Sequence, residues 1–197
     1  MKLIVGLGNP GHTFHDTRHN AGFAVIQCVA EQRQVSLDHP LVNRLDGRPA
    51  AVFGDYTLGR ETVRLLMPLT MMNESGEALR DPDAAPRDLL IVCDDVNLPL
   101  GALRVRPEGG AGGHHGLQSC LDVLGTERVP RLRLGVAHGP LPSDLTNFVL
   151  SRFSGAERPL MKRAIEQAAE AVECWAQEGI EAAMNRYNRT QEQEASP

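Results

Sequence analysis

Apolar and polar positions alternate along the chain in two distinct rhythms. Leu3-Ile4-Val5 is wholly apolar, which predicts a buried strand over residues 2–7. NAGFAVIQCVAEQR, residues 20–33, predicts an amphipathic helix. Residues 50–54 and 62–67 predict two strands joined by a turn through Gly59-Arg60, and 72–80 a short helix. DPDAAP at 81–86 is a turn. DLLIVCDD, residues 88–95, predicts a deeply buried strand ending in two acids. A strand over 102–106, a helix over 116–124 and a strand over 131–137 follow. In 155–178, Leu160, Ile165, Ala168, Ala169, Val172 and Trp175 recur at helical spacing. Strands that alternate with helices predict an α/β fold, with a mixed, mostly parallel sheet covered on both faces. In such sheets sites form where strands give way to loops, so Asn9 and Asp94 are placed to meet at one edge.

The first strand runs into Gly6-Leu7-Gly8-Asn9-Pro10-Gly11, which fits G-x-G-x-x-G. A dinucleotide loop needs its helix to start inside the glycines, so that the helix N-terminus faces a pyrophosphate. Here Pro10-Gly11 is a turn, and the next helix begins only near Thr17 to Asn20. No acid closes a second strand about 20 residues on, as that fingerprint requires. The glycines therefore read as a tight strand exit that presents Asn9.

Length and composition add limits. The 197 residues suit one domain with a real core. No apolar run approaches the length of a membrane span, and the N-terminus enters a strand without a leader-like segment. Cys28, Cys93, Cys120 and Cys174 are widely spaced in apolar surroundings, as buried free thiols of a reducing cytoplasm would be. Net charge is −5, which counts against a protein that coats nucleic acid. The charge is uneven: residues 96–133 hold Arg104, Arg106, Arg128, Arg131 and Arg133 against three acids, so a local basic face is compatible with the acidic total.

The polar residues that carry chemistry fall into four stretches. His12-Thr13-Phe14-His15-Asp16-Thr17-Arg18-His19-Asn20 offers three histidines, of which His15 and His19 have the His-x-x-x-His spacing of a metal pair. They straddle a helix start, and a base in a loop fits equally. Asp94-Asp95 ends a strand, where one acid can orient a histidine or bind Mg²⁺. Met72-Asn73 precedes a small turn. EGGAGGHHG, with His114-His115, is a flexible loop that lets a large substrate or a phosphate approach backbone and imidazoles.

Together, GLGNPG, TRHNAG, MNESG, CDDVNLPLG, GGAGGHHG and RLRLGVAHGP resemble bacterial-type peptidyl-tRNA hydrolases in order and spacing, from Lys2 to about Tyr187. The resemblance implies a single three-layer α/β/α domain over residues 1–189, followed by a polar, frayed tail at 190–197. It implies a monomeric cytoplasmic enzyme with no membrane, metal, cofactor or obligate protein partner. Its substrate would be peptidyl-tRNA, held at the acceptor stem and terminal CCA, and the ester to the terminal ribose would be hydrolysed. By position, His19 is the catalytic base, Asp94 its partner, and Asn9 and Asn73 contact the peptidyl part and reacting centre. Phe14, Asn20, Met72, His114 and His115 belong to the same substrate site, and Arg104, Arg106 and Arg133 stand where the family meets tRNA phosphates.

The chain departs from the pattern twice. His115 stands where the family has asparagine, and Phe14 where tyrosine is common. An imidazole offers one donor where an amide NH₂ offers two. Two rival readings remain at this level: a non-catalytic RNA-binding relative, against which the intact His19, Asp94, Asn9 and Asn73 argue, and a metal-dependent hydrolase built on Asp94, Asp95 and nearby histidines.

Overall fold

The computed structural model describes residues 1–43 and 47–188. The chain forms β1 (Lys2–Gly6), α1 (Ala21–Arg33), β2 (His39–Val42), β3 (Pro49–Leu58), β4 (Glu61–Pro68), β5 (Leu89–Pro99), β6 (Leu103–Arg106), α2 (His115–Leu124), β7 (Arg131–Ala137), α3 (Leu145–Val149), α4 (Arg158–Glu178) and α5 (Ile180–Tyr187). Tight 3₁₀ turns occupy His12–Phe14, Arg18–Asn20, Met72–Leu79 and Pro86–Asp88. The strands make one mixed sheet in the order β2-β3-β4-β1-β5-β7-β6. Its centre is parallel (β4, β1, β5, β7), and both flanks are antiparallel. The three-layer α/β/α expectation holds.

The sheet separates two cores. On one face Ile4, Val25, Ile26, Leu132, Val172 and Trp175 bring α1, α4 and α5 against the strands. On the other, Val5, Leu7, Leu79, Ile91, Leu117 and Leu121 bring in α2 and the 72–79 turn. The central strands are buried on both sides, which is why their sequences are continuously apolar.

The opening glycines are packing devices. A Cβ on Gly6 would sit 2.5 Å from the carbonyl oxygen of Gly22, and one on Gly22 2.4 Å from that of Val92. Helix α1 thus docks backbone to backbone on the end of β1. Gly11 alone of the three motif glycines takes a left-handed φ, 98°, at the turn. No helix begins within the motif, in line with the reading of a strand exit.

Several elements differ from the sequence expectations. Strand β2 and helices α3 and α5 are additional. β5 runs on to Pro99, so Asp94 and Asp95 lie within the strand and not at its end. Leu160, the first of the apolar positions read at helical spacing in 155–178, is 42% exposed. Cys93, Cys120 and Cys174 are buried and Cys28 half-buried, all as free thiols. The expected tail at 190–197 lies outside the described residues.

Candidate active site

β1 stops at Gly6, paired with Val92, so β5 continues past its neighbour and presents Asp94 beside the loop that leaves β1. That loop returns through the 18–20 turn and places His19 over Asp94. His19 Nδ1 lies 2.9 and 3.0 Å from the two Asp94 carboxylate oxygens. From the other side, His114 Nε2 lies 2.9 Å from Asp94 Oδ1. The two imidazoles tilt at 48° with centroids 4.9 Å apart. Asp94 is 2% exposed, whereas His19 keeps 14% of its side chain accessible. Burial alone would raise the Asp94 carboxyl, but His114 and His19 outweigh it and hold the group below the usual carboxylate range.

The hydrogen bonds assign the protons. His114 caps α2: its Nδ1 accepts the Leu117 amide at 3.1 Å, so its ring proton is on Nε2 and points at Asp94. An ionised Asp94 in turn accepts from His19 Nδ1, which leaves His19 Nε2 as a lone pair. The ligand atoms of His19, Asp94 and His114 all lie within 4.8 Å of one another, the spacing of a metal site. A cation there would need a lone pair where His114 carries its proton, and freeing it would put two N–H groups face to face at the α2 cap. The triad suits acid–base work and is mis-protonated for a metal.

Around this centre is a cavity of about 530 Å³, lined by Asn9, His19, Met71, Met72, Asn73, Asp94, Asn97, His114, His115, Arg133, the α3 residues Leu145, Thr146 and Val149, and Leu150 just after them, among others. Asn9 is fixed three ways. Its backbone N–H donates to Asn20 Oδ1 at 2.8 Å, its carbonyl accepts from Asn20 Nδ2 at 3.0 Å, and its own Oδ1 accepts the Met72 amide at 2.8 Å. Met72 is buried and supplies that anchor, while Asn73 and His115 are exposed and line the cavity from the 72–79 turn and the start of α2, which pack against each other at Met72 and Gly116.

Asn20 serves as the clamp on Asn9 and lines a neighbouring cavity of about 800 Å³. Asn9 also lines that cavity. Phe14 sits half-buried on the 12–14 turn, outside the lining of both cavities. His15 lies away from His19 and pairs with Asp16.

Arg104 pairs with Arg133 and Arg106 with Arg131 across β6 and β7, so four arginines share the α2 face of the sheet edge. The inner two are engaged. Arg131 is buried and bonds the carbonyls of Glu127, Val129 and Gly109. Arg133 bonds Asp95 at 3.0 Å and the carbonyls of Gly110 and Ala111. Together they strap down the glycine loop. Arg104 and Arg106 are exposed.

One residue that sequence reasoning passed over secures the turn that carries His19. Arg18, immediately before His19, is 6% exposed. It bonds Glu157 at 2.9 Å, the Val136 carbonyl at 3.0 Å and Ser151 Oγ at 3.3 Å. The rings of Phe148 and Phe153 flank its guanidinium at 4.5 and 4.7 Å. Its partners lie more than a hundred positions away, so no local pattern announces them.

A model of the family described as peptidyl-tRNA hydrolase matches residues 3–195. The chain belongs to the peptidyl-tRNA hydrolase family. It is 43% identical over 192 residues to the peptidyl-tRNA hydrolase of Syntrophomonas wolfei, covering 95% of this chain and all of that one. It is 41% identical over 195 residues to that of Desulfitobacterium hafniense, covering 96% and 100%. The crystal structure of the peptidyl-tRNA hydrolase from Acinetobacter baumannii superposes with a TM-score of 0.84 at 33% identity, over 96% of this chain and 95% of that one. The expected family membership is thereby shown. Among the described residues, no helix is long and apolar enough to cross a membrane.

Proposed function

We propose that this peptidyl-tRNA hydrolase cleaves the ester between the peptide and the terminal ribose of peptidyl-tRNA by general-base catalysis at His19. The observation that carries the reading is the His19–Asp94 pair, with Nδ1 on the carboxylate and Nε2 free toward the cavity. A water at Nε2 gives up its proton to the imidazole as its oxygen attacks the ester carbonyl. Asp94 stabilises the imidazolium so formed. The negative oxygen of the tetrahedral intermediate accepts from an amide donor, for which Asn9 Nδ2 is best placed; one such donor is worth roughly 2.7–4 kcal/mol. The intermediate collapses by expelling the ribose oxygen, and His19 returns the proton to it. Free tRNA and free peptide leave.

The acceptor stem and CCA end approach over Arg104 and Arg106, whose positive charge offsets the acidic total. Asn73 and His115 contact the substrate from the cavity lining. The enzyme acts as a cytoplasmic monomer without a metal.

The test is release of deacylated tRNA from N-acetylated aminoacyl-tRNA, with and without EDTA. Wild-type turnover is expected to be indifferent to EDTA. His19→Ala should lose at least about 10²-fold, the lower worth of a general base. Near-normal turnover in folded His19→Ala, or abolition by EDTA, overturns the mechanism.

A further inference from the structure

Asp94 is shared by two imidazoles, and the reaction as written uses only one. The second, His114, is held at both nitrogens. Nδ1 accepts the Leu117 amide at the N-terminus of α2, and Nε2 faces Asp94 Oδ1 at 2.9 Å. The ring cannot change tautomer without placing donor against donor at the helix and acceptor against acceptor at the carboxylate, and it cannot turn over without losing both contacts to C–H groups.

We propose that His114 is a positioning residue that transmits the direction of helix α2 to the base: Leu117 N–H fixes the His114 tautomer, His114 Nε2–H fixes Asp94, and Asp94 fixes His19 with its lone pair toward the substrate. The inference rests on reading His19 as the base. The chain of contacts is backbone donor, imidazole, carboxylate, imidazole, with every member at least partly buried. His114 never touches the reacting atoms in this scheme. It occupies one lone pair of Oδ1, so that the carboxylate cannot swing out of the plane in which both its oxygens face His19 Nδ1. The same ring is the α2 cap, which ties the register of the glycine loop to the orientation of the base.

Two substitutions separate the two contacts, because the glutamine amide nitrogen reaches where Nε2 does and the asparagine oxygen reaches only where Nδ1 does. His114→Asn keeps the cap and stops short of Asp94. It should hold its melting temperature and KM, while kcat falls about tenfold through loss of orientation. His114→Gln keeps the donor to Asp94 and loses the cap. It should melt earlier yet keep kcat within about threefold of wild type, well inside the tenfold expected from lost orientation. In ¹⁵N-histidine-labelled protein, at a pH where imidazoles are neutral, two-bond ¹H–¹⁵N spectra should show the Nε2–H tautomer for His114 and Nδ1–H for His19. The proposal is overturned if His114→Asn turns over like wild type, if His114→Gln is as slow as His114→Asn, or if His114 carries its proton on Nδ1. Failure of His19 as the base would appear in His19→Ala and would leave these spectra unchanged, so the two failures are told apart.

Discussion

Asn9 Oδ1 accepts the backbone amide of Met72 at 2.8 Å, and this bond decides which way the Asn9 amide faces. With the oxygen committed, Nδ2 is the end left for the cavity that Asn9 shares with His19. Asn20 clamps the Asn9 backbone at both N–H and C=O, so the donor is held before substrate arrives. Preorganisation of this kind lets a neutral amide serve a developing oxyanion.

Asn9→Asp isolates that donor. The carboxylate still accepts from Met72, but it presents an anion where the reaction needs an N–H. Turnover should fall about 10²- to 10³-fold, the loss typical of one oxyanion donor. Thermal melting should stay close to wild type. Single-turnover kinetics at saturating enzyme measure the chemical step; a rate within threefold of wild type would remove Asn9 from the mechanism.

Arg18 predicts a stability effect with a defined pH dependence. Its hydrogen bond to Glu157 is the main cause that lowers the Glu157 carboxyl from its ordinary 4.5 to about 2. The folded state therefore binds this proton less readily than the unfolded one. The resulting stabilisation is complete above the ordinary value and is lost as pH falls from about 4.5 toward about 2. Arg18→Ala strands Glu157 and the Val136 carbonyl, and removes two ring contacts. It should cost about 3 kcal/mol near neutral pH, or on the order of 6–12 °C in melting temperature for a chain of this size. The gap between the melting temperatures of the two proteins should narrow from pH 7 toward pH 2, leaving the part due to the Val136 bond and the ring contacts; a constant gap would mean that Glu157 contributes nothing to it.

The parts of this molecule that were legible in sequence are those written in local patterns. β1 and β5 begin as apolar runs, β7 alternates arginine with leucine before its apolar end, and the β3–β4 hairpin has its Gly59 turn at a left-handed φ of 64°. β2 escaped because it is an exposed edge strand whose HPLV carries neither alternation nor an apolar run. α5 was hidden because only Gly179, at φ 91°, separates it from α4, and an apolar rhythm does not show a change of direction. At the site, His19 and Asp94 lie 75 positions apart. Each was visible as a candidate, and the family resemblance joined them. The Asn20 clamp, the double bond on Asp94 and the Arg18 socket depend on where strands end in space, which no spacing rule encodes.

The arginine ladder on β6 and β7 predicts a division of labour. Arg104→Glu and Arg106→Glu should weaken binding of an unreacting tRNA analogue and each reduce the log–log salt slope by about 1. Arg133→Glu should behave differently. It places like charges at Asp95 and releases the Gly110 and Ala111 carbonyls, so melting temperature and kcat should fall with it. Binding titrations over a range of salt concentrations, with melting curves beside them, separate these effects. An unchanged salt slope in both β6 variants would place the tRNA contact elsewhere.

His115 is the departure from the family that the structure puts in the cavity itself. It is the first residue of α2, exposed, and lines the cavity. Its neighbour His114 makes the contacts to Asp94 and to the helix, so His115 is not part of the proton path to His19. A neutral imidazole there provides one donor, on a rigid ring; the asparagine that the motif resemblance leads one to expect would provide two on a shorter arm. The position thus tunes how substrate or water is held and leaves the base intact. His115→Asn should maintain or raise turnover, with stability unchanged, because the substitution removes no hydrogen bond seen at His115 in the described residues. The measurement is kcat and KM for both proteins on the same N-acetylated aminoacyl-tRNA. A fall in kcat/KM of tenfold or more, about 1.4 kcal/mol of transition-state stabilisation, would show that this enzyme has come to depend on the imidazole, and would make His115 a working member of the site in its own right.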